Sequence, residues 1–169
     1  ALQAGLTAGT RIEAMPIAVA ATGSPTWRPE DLVGDTIRSL TVRQALALSS
    51  NHAAVRVGQR AGEAAVIRMA RGLGLSTPIP PYPSIFLGAA EVNPAEFVAA
   101  FAAFANGGWR VRPRLIERVE DAHGQVLWQA APSTERALDE GVAFLTLSMM
   151  EDVVDAGTGE VLHQESRIH

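Results

Sequence analysis

At 169 residues, with 47% hydrophobic and 19% charged residues, the chain has the make-up of one folded domain rather than of a disordered segment. A formal net charge of −4 leaves no electrostatic footprint for nucleic acid, and no apolar run approaches the roughly 18 residues a membrane-spanning helix needs. Cysteine is absent, which excludes disulfides, thiolate catalysis and zinc–thiolate sites, and all 14 basic residues are Arg, so no lysine amine can serve as a base or Schiff-base former.

The opening residues resemble the end of a helix, broken at Gly5 and Gly9. "IEAMPIAVA" reads as a short extended segment, because Pro16 blocks a regular helix. Residues 24–35, "SPTWRPEDLVGD", are rich in turn formers and predict a surface loop anchored by Trp27. Thr41 is placed to cap a helix from Val42 to Leu48, and a second helix is expected from about His52 to Arg60, stopping near Gly62. "EAAVIRMARGLGL" predicts an amphipathic helix closed by Gly72 and Gly74, followed by a proline-rich crossing segment. Asn93-Pro94-Ala95-Glu96 combines an N-cap, a first-turn Pro and a first-turn acid, and the helix it starts ends at Asn106-Gly107-Gly108. The period then changes: "RLIERVED" and "QVLWQ", joined by Ala122-His123-Gly124, predict a β-hairpin. A last helix from about Asp139 to Asp155 would put Val142, Leu145, Met149 and Val153 on one face. The fold class is therefore α+β and mostly helical.

The stretch with most chemical content is Ser49-Ser50-Asn51, set between two apolar helical segments. Ser and Asn compete with the backbone for hydrogen bonds and disfavour helix interiors. One account is an ordinary helix break, with Ser49 or Ser50 capping the helix that follows. The other is a hydroxyl and a carboxamide projecting into a cleft, where the hydroxyl can relay a proton and the amide can hold a carbonyl. Other features carry less. His52, His123, His163 and His169 show no metal-ligand spacing, and His123 suits a turn. Glu151-Asp152 fits a solvated helix end, and Gly157-Thr158-Gly159 lacks the Lys of a phosphate loop. Arg110, Arg112 and Arg114 are spaced to share one face of a strand, as an anion site or as a solvated face.

The order of the motifs is more specific than any one of them. Met15-Pro16-Ile17 after "GLTAGT", the Trp27-x-Pro29 loop, "LTVRQALALSSN" and "HAAVRVGQRAG" come first. "ARGLGL", "PSIFLGAAEVNPAEFVAAFAAFANGG", "VRPRLIERVEDAHGQVLW" and "MMEDVVDAGTG" follow. Together they resemble, along nearly the whole chain, the transpeptidase domain of class A penicillin-binding proteins. That resemblance implies the central part of a β-lactamase/D,D-transpeptidase-like fold. It also implies three active-site motifs, S-x-x-K, S-x-N and K-T-G, of which Ser49-Ser50-Asn51 matches the second. Ser49 would then relay a proton between the motif-one Lys and the leaving-group nitrogen. Asn51 would hold the amide carbonyl of the substrate or β-lactam and help to orient that Lys. Asp31 stands where the family often has Asn, outside the three motifs.

A chain without Lys contains neither S-x-x-K nor K-T-G. Residues 1–169 are accordingly expected to be a partial transpeptidase domain lying between motifs one and three, inactive alone because a serine nucleophile needs its neighbouring base. With no initiator Met and no signal or lipidation motif, the chain is expected to belong to a longer or processed gene product. By the resemblance, the parent would cross-link peptidoglycan stem peptides through an acyl-serine, and β-lactams would mimic the donor. It would be anchored in the bacterial inner membrane, with this domain on the periplasmic side and a glycosyltransferase domain in the same chain. No cofactor is implied. Two other accounts keep the fold: a non-catalytic module binding peptidoglycan or a partner protein, and a related D,D-carboxypeptidase or serine β-lactamase. The isolated chain, with lobe faces uncovered, is expected to be marginal in stability.

Overall fold

The computed structural model describes residues 1–21, 24–31, 34, 36–131 and 133–162; His163 and His169 lie outside them. Strands β1 (Arg11–Glu13) and β4 (Ser39–Thr41) pair antiparallel, Ile12 opposite Leu40, and β4 runs directly into helix α1 (Val42–Ala47). Helices α2 (Asn51–Ala61) and α3 (Glu63–Gly72) follow, then a 3-10 turn at Pro83–Leu87 and helix α4 (Pro94–Ala105). The second half adds β5 (Trp109–Val111), β6 (Arg118–Glu120), β7 (Val126–Gln129), β8 (Thr134–Arg136) and helix α5 (Glu140–Ala156). The expected hairpin is present as β6–β7, its turn held by Asp121 Oδ1 accepting from the backbone N–H of His123 and Gln125.

The helix ends follow local chemistry. At α1, the Thr41 hydroxyl accepts from Gln44 N–H at 3.1 Å while the Gln44 side chain accepts from Thr41 N–H at 3.0 Å, a reciprocal capping box. Thr41→Ala should therefore lower stability by about 1 kcal/mol, read as a shift in urea midpoint at unchanged slope. Asn93 and Asp139 cap α4 and α5 by accepting from two backbone N–H groups each. The Ser76 backbone N–H and hydroxyl, at 2.8 and 2.7 Å, hold the Glu96 carboxyl below the usual carboxylate range and tie the start of α4 to the segment after α3. Gly108, at φ +90°, brings the backbone so close that a Cβ there would lie 2.4 Å from Leu138 O, which explains the Gly-Gly after α4.

Three expectations need correction. Residues Ser24–Trp27 form a strand, β3, paired antiparallel with β2 (Val19–Ala21), rather than the start of a loop. Both strands of a two-stranded ribbon are edges, where a proline such as Pro25 is tolerated. Arg110, Arg112 and Arg114 do not share a strand face: β5 ends at Val111, and Pro113 restricts the backbone just before it. Arg110 pairs with Glu135 across β5–β8, and Arg114 donates to Ala131 O at 3.1 Å. On α5, Met149 is buried against α1 and Ala143 against α4, while Leu145 of the expected face is exposed.

Two apolar clusters meet along α5. Ile12, Leu40, Val42, Ala45, Ala53 and Met149 fill the space between the β1–β4 ribbon, α1, α2 and α5. Leu73, Leu75, Ala100, Ala103, Leu138 and Ala143 fill the second. Arg43 bolts α1 to α5, donating to Asp152 at 2.7 Å and to the Ser148 carbonyl and hydroxyl at 3.1 Å each. Phe97, Val98 and Phe101 of α4, Phe144 of α5 and Leu127 and Trp128 of the hairpin remain exposed. No helix among the described residues is long and apolar enough to cross a membrane.

Candidate active site

The junction of α1 and α2 is the helix break, with Ser50 capping α2, and it gives Ser49 and Asn51 different surroundings from Ser50. Helix α1 ends with Ser49 N–H donating to Leu46 O at 3.0 Å and Ser50 N–H to Ala45 O at 2.9 Å. That pair of bonds is a Schellman ending, whose turning residue must enter the left-handed region and is usually Gly. Here it is Ser49, at φ 56°, the one non-glycine residue with positive φ among those described. A side chain at such a φ is unfavourable by about 1 kcal/mol, and residues held in sparsely populated conformations cluster at functional sites. The Ser49 side chain is exposed and engages no described residue.

Ser50 is 1% exposed and does the structural work: its hydroxyl is the N-cap of α2, accepting from Ala53 N–H, and it donates to Asp31 Oδ2 at 2.7 Å. Asn51, the first residue of α2, donates from Nδ2 to Glu30 O at 2.7 Å. This one bond fixes the carboxamide plane and leaves a second N–H and the Oδ1 acceptor free of described partners. The next residue, His52, is buried and no metal ligand: Nε2 lies 3.0 Å from Pro29 O, and Nδ1 lies 3.3 Å from both Ala14 O and Asp31 Oδ2.

Ser49 and Asn51 stand at the rim of a cavity of about 590 Å³. Its wall is mostly apolar, with Leu46, Met69, Phe86, Phe104 and Met149 among the residues that line it. An exposed hydroxyl and a half-committed carboxamide, with one residue between them on a hydrogen-bonded turn that lines an apolar hollow, can bind a carbonyl and pass a proton. They supply no nucleophile activated by a base.

The whole chain, residues 1–169, matches the family model for the penicillin binding protein transpeptidase domain. The chain belongs to this family. Penicillin-binding protein 1A of Neisseria meningitidis is 31% identical over 166 residues, 94% of this chain and 21% of that protein. The crystal structure of penicillin-binding protein 1A from Haemophilus influenzae shares the fold at TM-score 0.87 and 23% identity, over 94% of this chain and 29% of that one. Penicillin-binding protein A from M. tuberculosis, solved as a penicillin G acyl-enzyme complex, aligns at TM-score 0.78 and 25% identity, over 91% and 40%. The chain spans about a fifth of the length of the curated relatives it matches. The transpeptidase fold and family expected from the motif order are thus both present. The clip formed by Asp31 and His52 was not foreseen. Asp31 stood out only as a departure from the family pattern, and nothing in the local sequence ties it to a residue 21 positions away.

Proposed function

We propose that this chain carries the second active-site motif of a peptidoglycan D,D-transpeptidase, with the Ser-x-x-Lys and Lys-Thr-Gly motifs contributed by residues outside it. The observation that carries this reading is the left-handed Ser49 at the cavity rim. Local physics asks for Gly at that position, and a serine there is explained by a use for its hydroxyl. In the assembled site Ser49 passes a proton between the motif-one lysine and the leaving nitrogen. Asn51 holds the amide carbonyl next to the bond that is broken, its plane set by Glu30. Both stem peptide and β-lactam present that amide, and penicillin G acylates the M. tuberculosis relative. Peptidoglycan stem peptides and β-lactams are therefore the ligands, on the periplasmic side of a membrane-anchored parent.

The test is mass spectrometry of the longer protein and of the isolated 169-residue chain, each with excess benzylpenicillin. A penicilloyl adduct on a serine outside residues 1–169 of the longer protein, with none on the isolated chain, is the expected result. An adduct within these residues, or none anywhere, overturns the reading.

A further inference from the structure

Beneath the motif-two turn, three consecutive residues of the segment before β4 grip three consecutive residues at the start of α2. Pro29 O faces His52 Nε2 at 3.0 Å, Glu30 O accepts from Asn51 Nδ2 at 2.7 Å, and Asp31 Oδ2 accepts from Ser50 Oγ at 2.7 Å. The same Asp31 oxygen accepts from the His52 backbone N–H at 3.0 Å and lies 3.3 Å from His52 Nδ1. Its side chain is 1% exposed. A carboxylate so buried is tolerated only when hydrogen bonds replace its water, and the N-terminus of a helix is a favourable place for it.

From this geometry we infer that Asp31 is a positioning residue of the transpeptidase site, fixing Ser49 and Asn51 through Ser50 and His52. The inference rests on the functional reading above. Asp31 does not line the cavity; it acts on residues that do. Ser50 is gripped from below by Asp31 and from behind by its bond to Ala45 O, so the left-handed turn at Ser49 is closed on both sides. Asn51 is held between Ser50 and His52, both bonded to the same oxygen. Without the carboxylate the Ser50 hydroxyl is buried with no acceptor, and the first turn of α2 loses its anchor to the segment before β4. The two groups that meet the ligand then keep their chemistry and lose their placement. Misplacement lowers the rate of the bond-forming step more than it lowers binding.

The experiment is stopped-flow acylation of the longer protein by a fluorescent penicillin, separating the dissociation constant of the encounter complex from the acylation rate constant. Asp31→Ala should lower the rate constant about 30-fold and move the dissociation constant less than about threefold. Asp31→Asn, which keeps an acceptor oxygen in the same place, should recover the rate constant to within about fivefold of wild type. A wild-type protein that takes up no penicillin overturns the functional reading and this inference with it. A wild-type protein that is acylated, beside an Asp31→Ala variant acylated at the same rate constant, overturns the positioning role alone. So does a loss confined to the dissociation constant. Should Asp31→Ala melt below the assay temperature, Ser50→Ala, which removes one donor from the same oxygen, decides the matter. It should show the same split at about fivefold, and an unchanged rate constant in the folded variant overturns the inference.

Discussion

Replacing Ser49 by Ala and by Gly should give two variants equally poor in acylation and different in stability. Both lose the hydroxyl proposed to relay the proton, and loss of a positioned proton-transfer group lowers a rate by about 10²–10⁴-fold. Both are therefore expected to take up fluorescent penicillin at least about 100-fold more slowly in the longer protein. Their melting should part company because Ser49 stands at φ 56° in the turning position of a Schellman ending. Alanine keeps the clash of a Cβ with the backbone at that φ, whereas glycine removes it. Ser49→Gly should be the more stable of the two by about 1 kcal/mol, and at least as stable as the natural protein. A Ser49→Gly protein that is stabilised and inactive would place the serine's purpose in the reaction and not in the fold. Acylation by Ser49→Gly at the natural rate would remove Ser49 from the mechanism. Equal stability of the two variants would mean that the turn is not strained.

What could be read from the sequence and what could not divide along the distance over which each interaction acts. Thr41, Asn93 with Pro94, and Asp139 are caps, and a cap is a bond to a backbone N–H two or three residues away. Such bonds are visible in a string of letters, and the helices they start fall within a few residues of their expected places. The β6–β7 hairpin was legible for the same reason, its turn being held by Asp121 alone. The β2–β3 ribbon was not, because strands of three and four residues carry too little alternation to oppose the turn-forming Ser24 and Pro25. The buried face of α5 was legible only in part: Met149 packs with Val42 and Ala45 of α1, but the other buried position is Ala143, against Ala100 and Ala103 of α4, and Leu145 stays exposed. At the site, the motif order pointed to Ser49 and Asn51, but Ser49 and Ser50 looked interchangeable as caps. They differ only in three dimensions. The Ser50 side chain meets Asp31 from a segment 19 residues earlier, and the Ser49 side chain bonds to no described residue.

Gly157→Ala should be strongly destabilising, and it should act on the active site from a distance in sequence. Gly157 closes α5 at φ −123° and ψ −155°, an extended conformation open to any residue, so its backbone angles do not require glycine. Its surroundings do. A Cβ there would lie 2.3 Å from Ala47 O, 2.9 Å from Ala47 C and 2.9 Å from Val153 Cα, all backbone atoms that no rotamer change can move. The neighbouring Thr158 N–H donates to Ala47 O at 3.0 Å, satisfying a carbonyl at the end of α1 that the Schellman bonds leave open. The added methyl must push the end of α5 away from the end of α1, break that bond and disturb the turn that begins two residues later at Ser49. Overpacking of this kind is unfavourable by about 3 kcal/mol, or roughly 6–12 °C in melting temperature for a unit of this size. The acylation rate constant should fall with it, since Ala47 and Ser49 belong to one turn. Gly72→Ala is the matched control: a Cβ there meets nothing within 4 Å, and the residue closes an α-helix. It should leave acylation unchanged and raise stability by about 0.5 kcal/mol. A Gly157→Ala protein that melts and reacts like Gly72→Ala would show that the α1–α5 junction gives way at little cost, and that the motif-two turn is held by the Asp31 side alone.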